Sequence, residues 1–565
     1  MQTRVGGRSS WLLGFLGVFV LMACNSGGGG DDGGGVAQPL SAMQQSSRFS
    51  AQATLGADME EIERIDALGF EVWLDDQLAM PPSLHLPELQ RLVVAYGDLS
   101  GPATTNTPIF RRLAWWNRVM GSDDLLRQRV ALALSEIFVV SDLMDVLAIN
   151  PESVASYYDV LLTHAFGSYE ELLLEVTLHP AMGAYLSHLN NDRSDPVVGR
   201  FPDENYAREV MQLFSIGLFE LAPDGRRLLD GNGDPIATYG NAQITEFAKV
   251  FTGLGLQGPG ATFGGYLGDR RAPMIMYAAH HEPGPKTLLG GFTLPAGQTG
   301  MQDVEGAIAH LSNHPNVGPF MARRLIQRLV KSNPSPEYIE RIATVWEDDG
   351  SGARGNLGAV VRAILLDRAA REDPLDPSDG FLREPFLRWV SLLRAFDAQS
   401  PSGEYLVEGA VIGFLLGQHP MSSPSVFNFF QPNFAPNGPI QQAGLVAPEF
   451  QITTDASVIW VANLATYSLF VEAAFPADVD FFRPGAITRD EILLEFDFSE
   501  EIAIADDIDR LLDRLDLLLM HGTMSATTRD SIATVLADPA LADPEARVRA
   551  AVHFIAMSPD YSVVR

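Results

Sequence analysis

From Met59 onward the chain repeats one pattern: apolar residues return every three to four positions, segment after segment, with polar residues between them. That period predicts amphipathic helices over Met59 to Gln77, Arg111 to Met120, Leu125 to Val140, Pro151 to His164, Glu170 to Val176, Glu204 to Ile216 and Gln243 to Phe251. It returns over Gln302 to Ser312, Val317 to Lys331 and Pro336 to Glu347, and stop signals such as Gly121-Ser122-Asp123 and Gly167 separate the segments. A helix with one apolar stripe needs other helices to cover it. The expected fold is therefore mainly α, a large irregular multi-helix body. Between Phe219 and Gly300 the pattern changes. "LAPDGRRLLDGNGDPIATYG" sets two turn clusters among short alternating runs, and "APMIMY" and "KTLLGGFTLP" read as short strands, so 219–300 is expected to be a small β-hairpin-rich insertion. Residues 401–444, heavy in Pro, Asn and Phe, read as a long loop, and no fixed-period repeat supports a solenoid.

The only cysteine, Cys24, stands in "FVLMACNSGGGGDDGGG". Arg4 and Arg8 precede an unbroken apolar run from Trp11 to Ala23, which has the length of a signal h-region and is too short to span a bilayer. Leu21-Met22-Ala23-Cys24 resembles the lipobox of bacterial lipoproteins, which implies a signal peptide at 1–23 and a diacylated Cys24. The simpler reading is an uncleaved leader with an incidental cysteine. Gly27 to Gly35 with two aspartates argues against it, because a solvated glycine coil is a tether that holds a body away from a surface. The expected organisation is an anchor and tether at 24–47 and one helical domain at 48–565. Asn25 stands where an aspartate would resemble an inner-membrane retention signal, so in a Gram-negative host the expected address is the outer membrane.

Charge narrows the partners. With 71 acidic against 39 basic residues the net charge is −32, and no basic stripe is visible, so no nucleic-acid partner is expected and the expected contact with a membrane is the lipid anchor. Once Cys24 is acylated no thiol remains for a disulfide, and stability has to come from packing.

"RFSAQATLGADMEEIERIDALGFEVWLDDQL", "DENYAREVMQLFSIGLFEL", "ITEFAKVFTG", "HHEPGPKTLLG", "NHPNVGPFMARRLIQRLV" and "GQHPMSSPSVFNFFQPNF" resemble, in order, the signature blocks of a large bacterial family known only as domain of unknown function eighteen-hundred. The resemblance runs from Arg48 to the final "SPDYSVVR". It implies a mostly helical exported protein forming one large unit, often encoded beside an exported phosphatase-like or sulfatase-like protein, and it implies no activity.

Three segments are candidates for chemistry. On a helix, Asn205, Arg208, Glu209 and Gln212 fall on one polar face, opposite an apolar stripe of Tyr206, Val210, Leu213 and Phe214. This is either a solvated face with a Glu204–Arg208 pair or a carboxylate and guanidinium that orient a polar group. In the resembled family's Asn-Glu-Asn-Tyr-Ala-Arg-Glu signature, Asp203 replaces the first Asn, and Phe214 stands where some members have histidine. The second segment places His280, His281, Glu282 and Lys286 in a Pro/Gly-broken loop, where an imidazole can exchange a proton near neutrality. The alternative there is a structural loop bonded to backbone carbonyls. In the third, Phe427, Phe429, Phe430 and Phe434 alternate with Asn428, Gln431 and Asn433, a mixture suited to a glycan or peptide groove or to pinning a loop on the body. Arg323 and Arg324 read as helix-surface cations unless one turns inward toward Glu209.

Metal motifs are poor. There is no HExxH and no zinc spacing, and Asp230 to Asp234 opens like a calcium loop but continues with Pro235 and Asn241, so a hairpin turn is the better reading. No GxSxG elbow, Walker loop or dinucleotide fingerprint is present, and the residues name no cofactor. Two functions remain. One is a lipid-anchored binding or scaffold protein working with an exported partner enzyme. The other is a hydrolase in which Glu209 and His281 form an acid–base pair, Arg208 and Lys286 stabilise anionic charge, and Asn205 and Glu282 join them as binding residues. The first is favoured because no nucleophile motif or complete metal shell can be named.

Overall fold

The helix Leu125–Ser135 is buried along its whole length, and it touches the helices Ala42–Ala53, Phe70–Ala79, Pro151–His164 and Val317–Leu329. A helix covered on every side must satisfy its own polar groups inside the protein. Arg127 accordingly donates to the carbonyls of Leu162 and Met80, each at 2.9 Å, and stacks on Phe166. The computed structural model describes residues 40–97, 108–371, 379–406, 413–470 and 482–565. The expected signal peptide, Cys24 and the glycine tether up to Pro39 lie outside the described residues, as do 407–412 of the long loop.

The described architecture is mainly α with small two-stranded antiparallel elements. One apolar core runs through it from Phe49 to Tyr561, with a smaller cluster around Leu92, Phe110 and Phe482. Leu40–Arg565 forms one compact unit. Its first helix starts at Ala42, capped by Ser41 and Gln44 in a reciprocal pair, so residues 42–47, read as the end of the tether, belong to the helical body. The expected helix Met59 to Gln77 is two, Met59–Leu68 and Phe70–Ala79, because Gly69 adopts φ 78° between them. Near the carboxyl end Phe381–Leu382 pairs with Val563–Val564, and a Cβ at Gly380 would come within 2.1 Å of the Val564 carbonyl oxygen, so only glycine fits that approach.

Residues 219–300 contain less sheet than their turn chemistry implies. Bridges Phe219↔Ala237, Leu221↔Arg227 and Leu229↔Pro235 make a ragged hairpin, in which Asp230 Oδ1 accepts from the Asn232 and Asp234 amides and closes the turn. Two-residue strands pair Leu254↔Met276 and Lys286↔Leu294. The helix Asn241–Val250 lies among them and packs on Asn205–Gln212 and Gly300–Ser312, so the insertion is held by helix packing more than by ladders. The 401–444 stretch carries short helices at Gly413–Leu416 and Pro439–Gln442. Among the described residues no helix is long and apolar enough to cross a membrane.

Candidate functional site

The helix Asn205–Gln212 starts where Asp203 Oδ1 accepts from the Asn205 amide at 2.8 Å. It stops at Gln212, and the chain then tightens until Gly217, at φ 71°, donates its amide to the Met211 carbonyl. Arg208 and Glu204 form a half-exposed pair at 3.6 Å, worth only tenths of a kcal/mol. Asn205 reaches Ser187 Oγ at 3.4 Å. Glu209 does not share that solvated face: it is 7% exposed, its Oε2 has no hydrogen-bond partner among the described residues, and burial pushes its carboxyl above the ordinary range.

The loop candidate closes on itself instead of on Glu209. His281 Nδ1 lies 2.9 Å from the Thr252 carbonyl and so must donate to it, while Nε2 lies 2.8 Å from Asp303 Oδ2. Lys286 Nζ, 3.1 Å from His281 Nε2, donates to the carbonyls of Glu282 and Gly284 and pairs with Asp303, which also accepts from Gln298. His281, Lys286 and Asp303 are all buried, and the packing is tight enough that a Cβ at Gly300 would stand 2.8 Å from His281 Cγ. Glu282 turns away, accepting from the amide and hydroxyl of Ser194 at 3.0 and 2.7 Å. His280 stacks on Phe263 and lies 3.0 Å from Asp192. The structure therefore brings His281 and Lys286 together, adds an unforeseen Asp303, and makes no bond between either and Glu209. The network ties the insertion to the helix Gly300–Ser312 at its capped first turn, where Thr299 and Gln302 close a reciprocal cap.

The third segment meets the Asn205 helix, away from the histidine loop. A solvent-open cleft of about 550 Å³ lies between the carboxyl end of the Asn205 helix, the 219–237 hairpin, the helix Val317–Leu329 and the loop at Phe427. Gln212, Leu213 and Gly217 form one wall, Phe427, Gln431, Pro432 and Asn433 another. Phe430 goes into the core, 1% exposed, and stacks under Arg328, so the aromatic loop both pins itself and lines the groove. Arg227, Arg323 and Arg324 also line the cleft, and among the described residues no carboxylate does. Arg323 and Arg324 thus turn inward, but toward the cleft and not toward Glu209. The sequence held a signal for this: Phe320, Arg324 and Arg328 recur at helical spacing, placing Arg324 on a row with a buried aromatic. Arg227 and Phe219, stacked at 4.5 Å, carried no such signal.

Behind Arg324 a smaller cavity of about 50 Å³ leads to Glu136 and Arg328, whose Oε2 and Nε lie 3.2 Å apart. Glu384 and Glu449 complete this buried polar group, with Gln418 donating to Glu384. Burial first, then the neighbouring Glu136, pushes Glu384 well above the carboxylate range, and burial lifts Glu449 from 4.5 to about 7. A raised carboxyl pKa stabilises the fold fully below the unfolded value of 4.5, and that contribution is lost as pH rises through about 7. Glu449→Gln is therefore expected to be near-neutral below pH 4.5 and to gain about 3 kcal/mol over the native chain well above pH 7. Denaturant unfolding at the two extremes checks it; an equal change at both would disprove the assignment. Among the described residues no group of three or more His, Cys, Asp or Glu side chains is placed to hold a metal ion.

A mainly helical body carrying a cationic, aromatic-walled cleft defines the class of this protein by fold and site. Residues 48–563 match the family described as "Protein of unknown function (DUF1800)", and the chain belongs to that family. Neither the curated proteins nor the solved structures contain a match to it.

Proposed function

We propose that this chain is an exported, lipid-anchored binding protein whose ligand enters the arginine-lined cleft, working beside an exported enzyme of phosphatase-like or sulfatase-like type. The observation that supports it is convergence: the Asn205 helix with the hairpin that follows it, the helix Val317–Leu329 and the aromatic loop, three stretches far apart in sequence, build the walls of one open cavity. Cavities of this size with apolar walls and a few convergent polar groups are where small ligands bind. A hydrolase built on Glu209 and His281 has less support, because His281 spends both ring nitrogens on Thr252 and Asp303.

The test fills the cleft without touching its charges. Leu218 lines it and is 48% exposed, so Leu218→Trp adds volume at little cost to the fold. The full chain, native and substituted, is challenged with fractionated envelope material. Native protein is expected to retain a component that Leu218→Trp loses, and to leave it chemically unchanged. Turnover of that component, abolished by Glu209→Gln, would replace binding with hydrolysis.

Anchoring is tested separately. Cys24→Ser is expected to move the protein from the membrane fraction to the soluble fraction or to leave the precursor unprocessed, since buried acyl methylenes supply roughly 0.8 kcal/mol each. An unchanged membrane fraction and an unchanged mass would reject the anchor. In a Gram-negative host the anchored form is expected in the outer membrane.

A further inference from the structure

We propose that the cleft is an oxyanion site and that its ligand is a saccharide bearing phosphate or sulfate groups, held through Arg324 with Arg227 and Arg323 on either side. The inference rests on the binding reading above and names its ligand class.

Arg324 is the reason. Its guanidinium lies 4.9 Å from the Phe320 ring centroid, and among the described residues no carboxylate, carbonyl or hydroxyl accepts a hydrogen bond from it. Arg323 and Arg328 are its charged neighbours, and burial, then these two like charges, pushes it from 12.5 down to about 9. It remains a cation at neutral pH without a counter-charge. Arg324 is part-exposed and lines the open cleft, and like charges this close repel one another unless an anion lies among them. Of its companions, Arg323 has the Gly225 carbonyl at 3.3 Å and, as a charged neighbour, the Asp224 carboxylate that already pairs with Arg226, while Arg227 stacks on Phe219. In a chain of net charge −32 this cleft thus carries three cations and, among the described residues, no acid in its lining. A bound anion supplies the missing counter-charge. Guanidinium forks match the oxygens of phosphate and sulfate two at a time, and several forks in one cleft favour a multiply charged group.

The rest of the lining selects what carries the anion. Phe427 offers an exposed apolar face, and the side-chain amides of Gln431 and Asn433 make no hydrogen bond among the described residues. A flat apolar surface beside free amides suits a sugar ring, with its C–H face against the aromatic and its hydroxyls on the amides. Because the cleft opens to solvent, a longer chain can continue beyond it.

The test uses the full chain in detergent, with inorganic phosphate and sulfate as headgroup probes and dextran sulfate against dextran as chain probes. Salt stays at low millimolar, below the range in which these anions stabilise proteins generally. Phosphate or sulfate is expected to raise the melting temperature, and dextran sulfate to bind where dextran does not. Arg324→Met keeps the stem over Phe320 and removes the charge. It is expected to melt higher than the native chain without anion, and to bind phosphate roughly tenfold or more weakly, as loss of a charge-assisted hydrogen bond requires. A structural arginine predicts the opposite, a lower melting temperature and an intact anion shift, and that result overturns the proposal. Arg227→Met, on an exposed side chain, is expected to weaken the shift in part and serves if Arg324→Met does not fold. Equal binding of dextran and dextran sulfate, blocked by Leu218→Trp, would leave the binding reading standing and end the anionic one; loss of neither ligand in Leu218→Trp would end both. Tighter binding of a nucleotide than of dextran sulfate would exchange the saccharide for a nucleoside and refute the ligand class.

Discussion

Asp142→Ala is expected to destabilise the protein by about 3–5 kcal/mol, the cost of removing one partner of a buried ion pair. Arg111 Nη2 meets Asp142 Oδ2 at 2.6 Å, with the side chains 3% and 1% exposed, and Arg112 approaches the same carboxylate at 3.4 Å. Without Asp142 two guanidinium groups face a cavity with no counter-charge. The same residues hold the aromatic loop: Arg111 donates to the Pro420 carbonyl at 3.1 Å and to Ser422 Oγ at 3.2 Å, and the Asp142 amide donates to the Met421 carbonyl at 2.8 Å. Loss of ligand binding in the cleft should therefore accompany the loss of stability, since Phe427 to Asn433 follow directly. Burial pushes the Asp142 carboxyl up, but Arg111 and Arg112 outweigh it and hold it below 3.8. A depressed carboxyl contributes stability above the unfolded pKa and loses it as pH falls through the folded one, so the defect of Asp142→Ala should be constant above pH 3.8 and shrink below it. Denaturant unfolding as a function of pH measures this. Arg111→Met combined with Asp142→Leu should recover much of the stability, because an apolar pair of similar volume has no desolvation cost. A single substitution costing under about 1 kcal/mol, the range of a surface pair, would show that the pair is solvated.

Asp303→Ala is expected to cost a similar 3–5 kcal/mol and to loosen a different part of the molecule. It leaves Lys286, 1% exposed, with the carbonyls of Glu282 and Gly284 and the His281 Nε2 but no counter-charge, and deprives His281 Nε2 of its carboxylate. The segment from Gly253 to Gly300 is then fixed mainly by short strands and by packing on the Asn241–Val250 helix. Limited proteolysis should cut within that segment in Asp303→Ala and spare it in the native chain. If His281 served a reacting centre with Glu209, Asp303→Ala would change a pH–rate profile while leaving the fold intact; an unchanged unfolding midpoint would count against the tie described here.

How much was legible beforehand differs between levels. The helices were, because an amphipathic period is local: Pro151–His164 and Pro336–Glu347 begin at a proline and end where their apolar stripe ends, as read from the sequence. The hairpin turns at Pro223-Asp224-Gly225 and Asp230 to Asp234 were too, since Asp and Gly specify such turns through their own side-chain and backbone geometry. Gly69 in the middle of one expected helix was a visible break that the surrounding apolar spacing outweighed.

The site was legible as residue types and not as partners. Glu209 looks solvated because helical spacing puts it beside Arg208, yet the insertion covers it: Tyr239, whose hydroxyl it pushes up after burial, comes from the far end of the hairpin. His281 and Lys286 were flagged by their chemistry, while Asp303, which satisfies both, stands in a separate helix where it reads as an ordinary first-turn acid. The sequence by itself determined which segments are helices, where they stop and which loops carry aromatics and titratable groups, since those depend on neighbours within a few residues. Only the tertiary structure decided that Arg324 lines a cleft in which no described residue supplies a carboxylate, and that His281 bonds Thr252 and Asp303. Those outcomes depend on which apolar stripes dock together, and a stripe specifies that it must be buried without specifying what buries it.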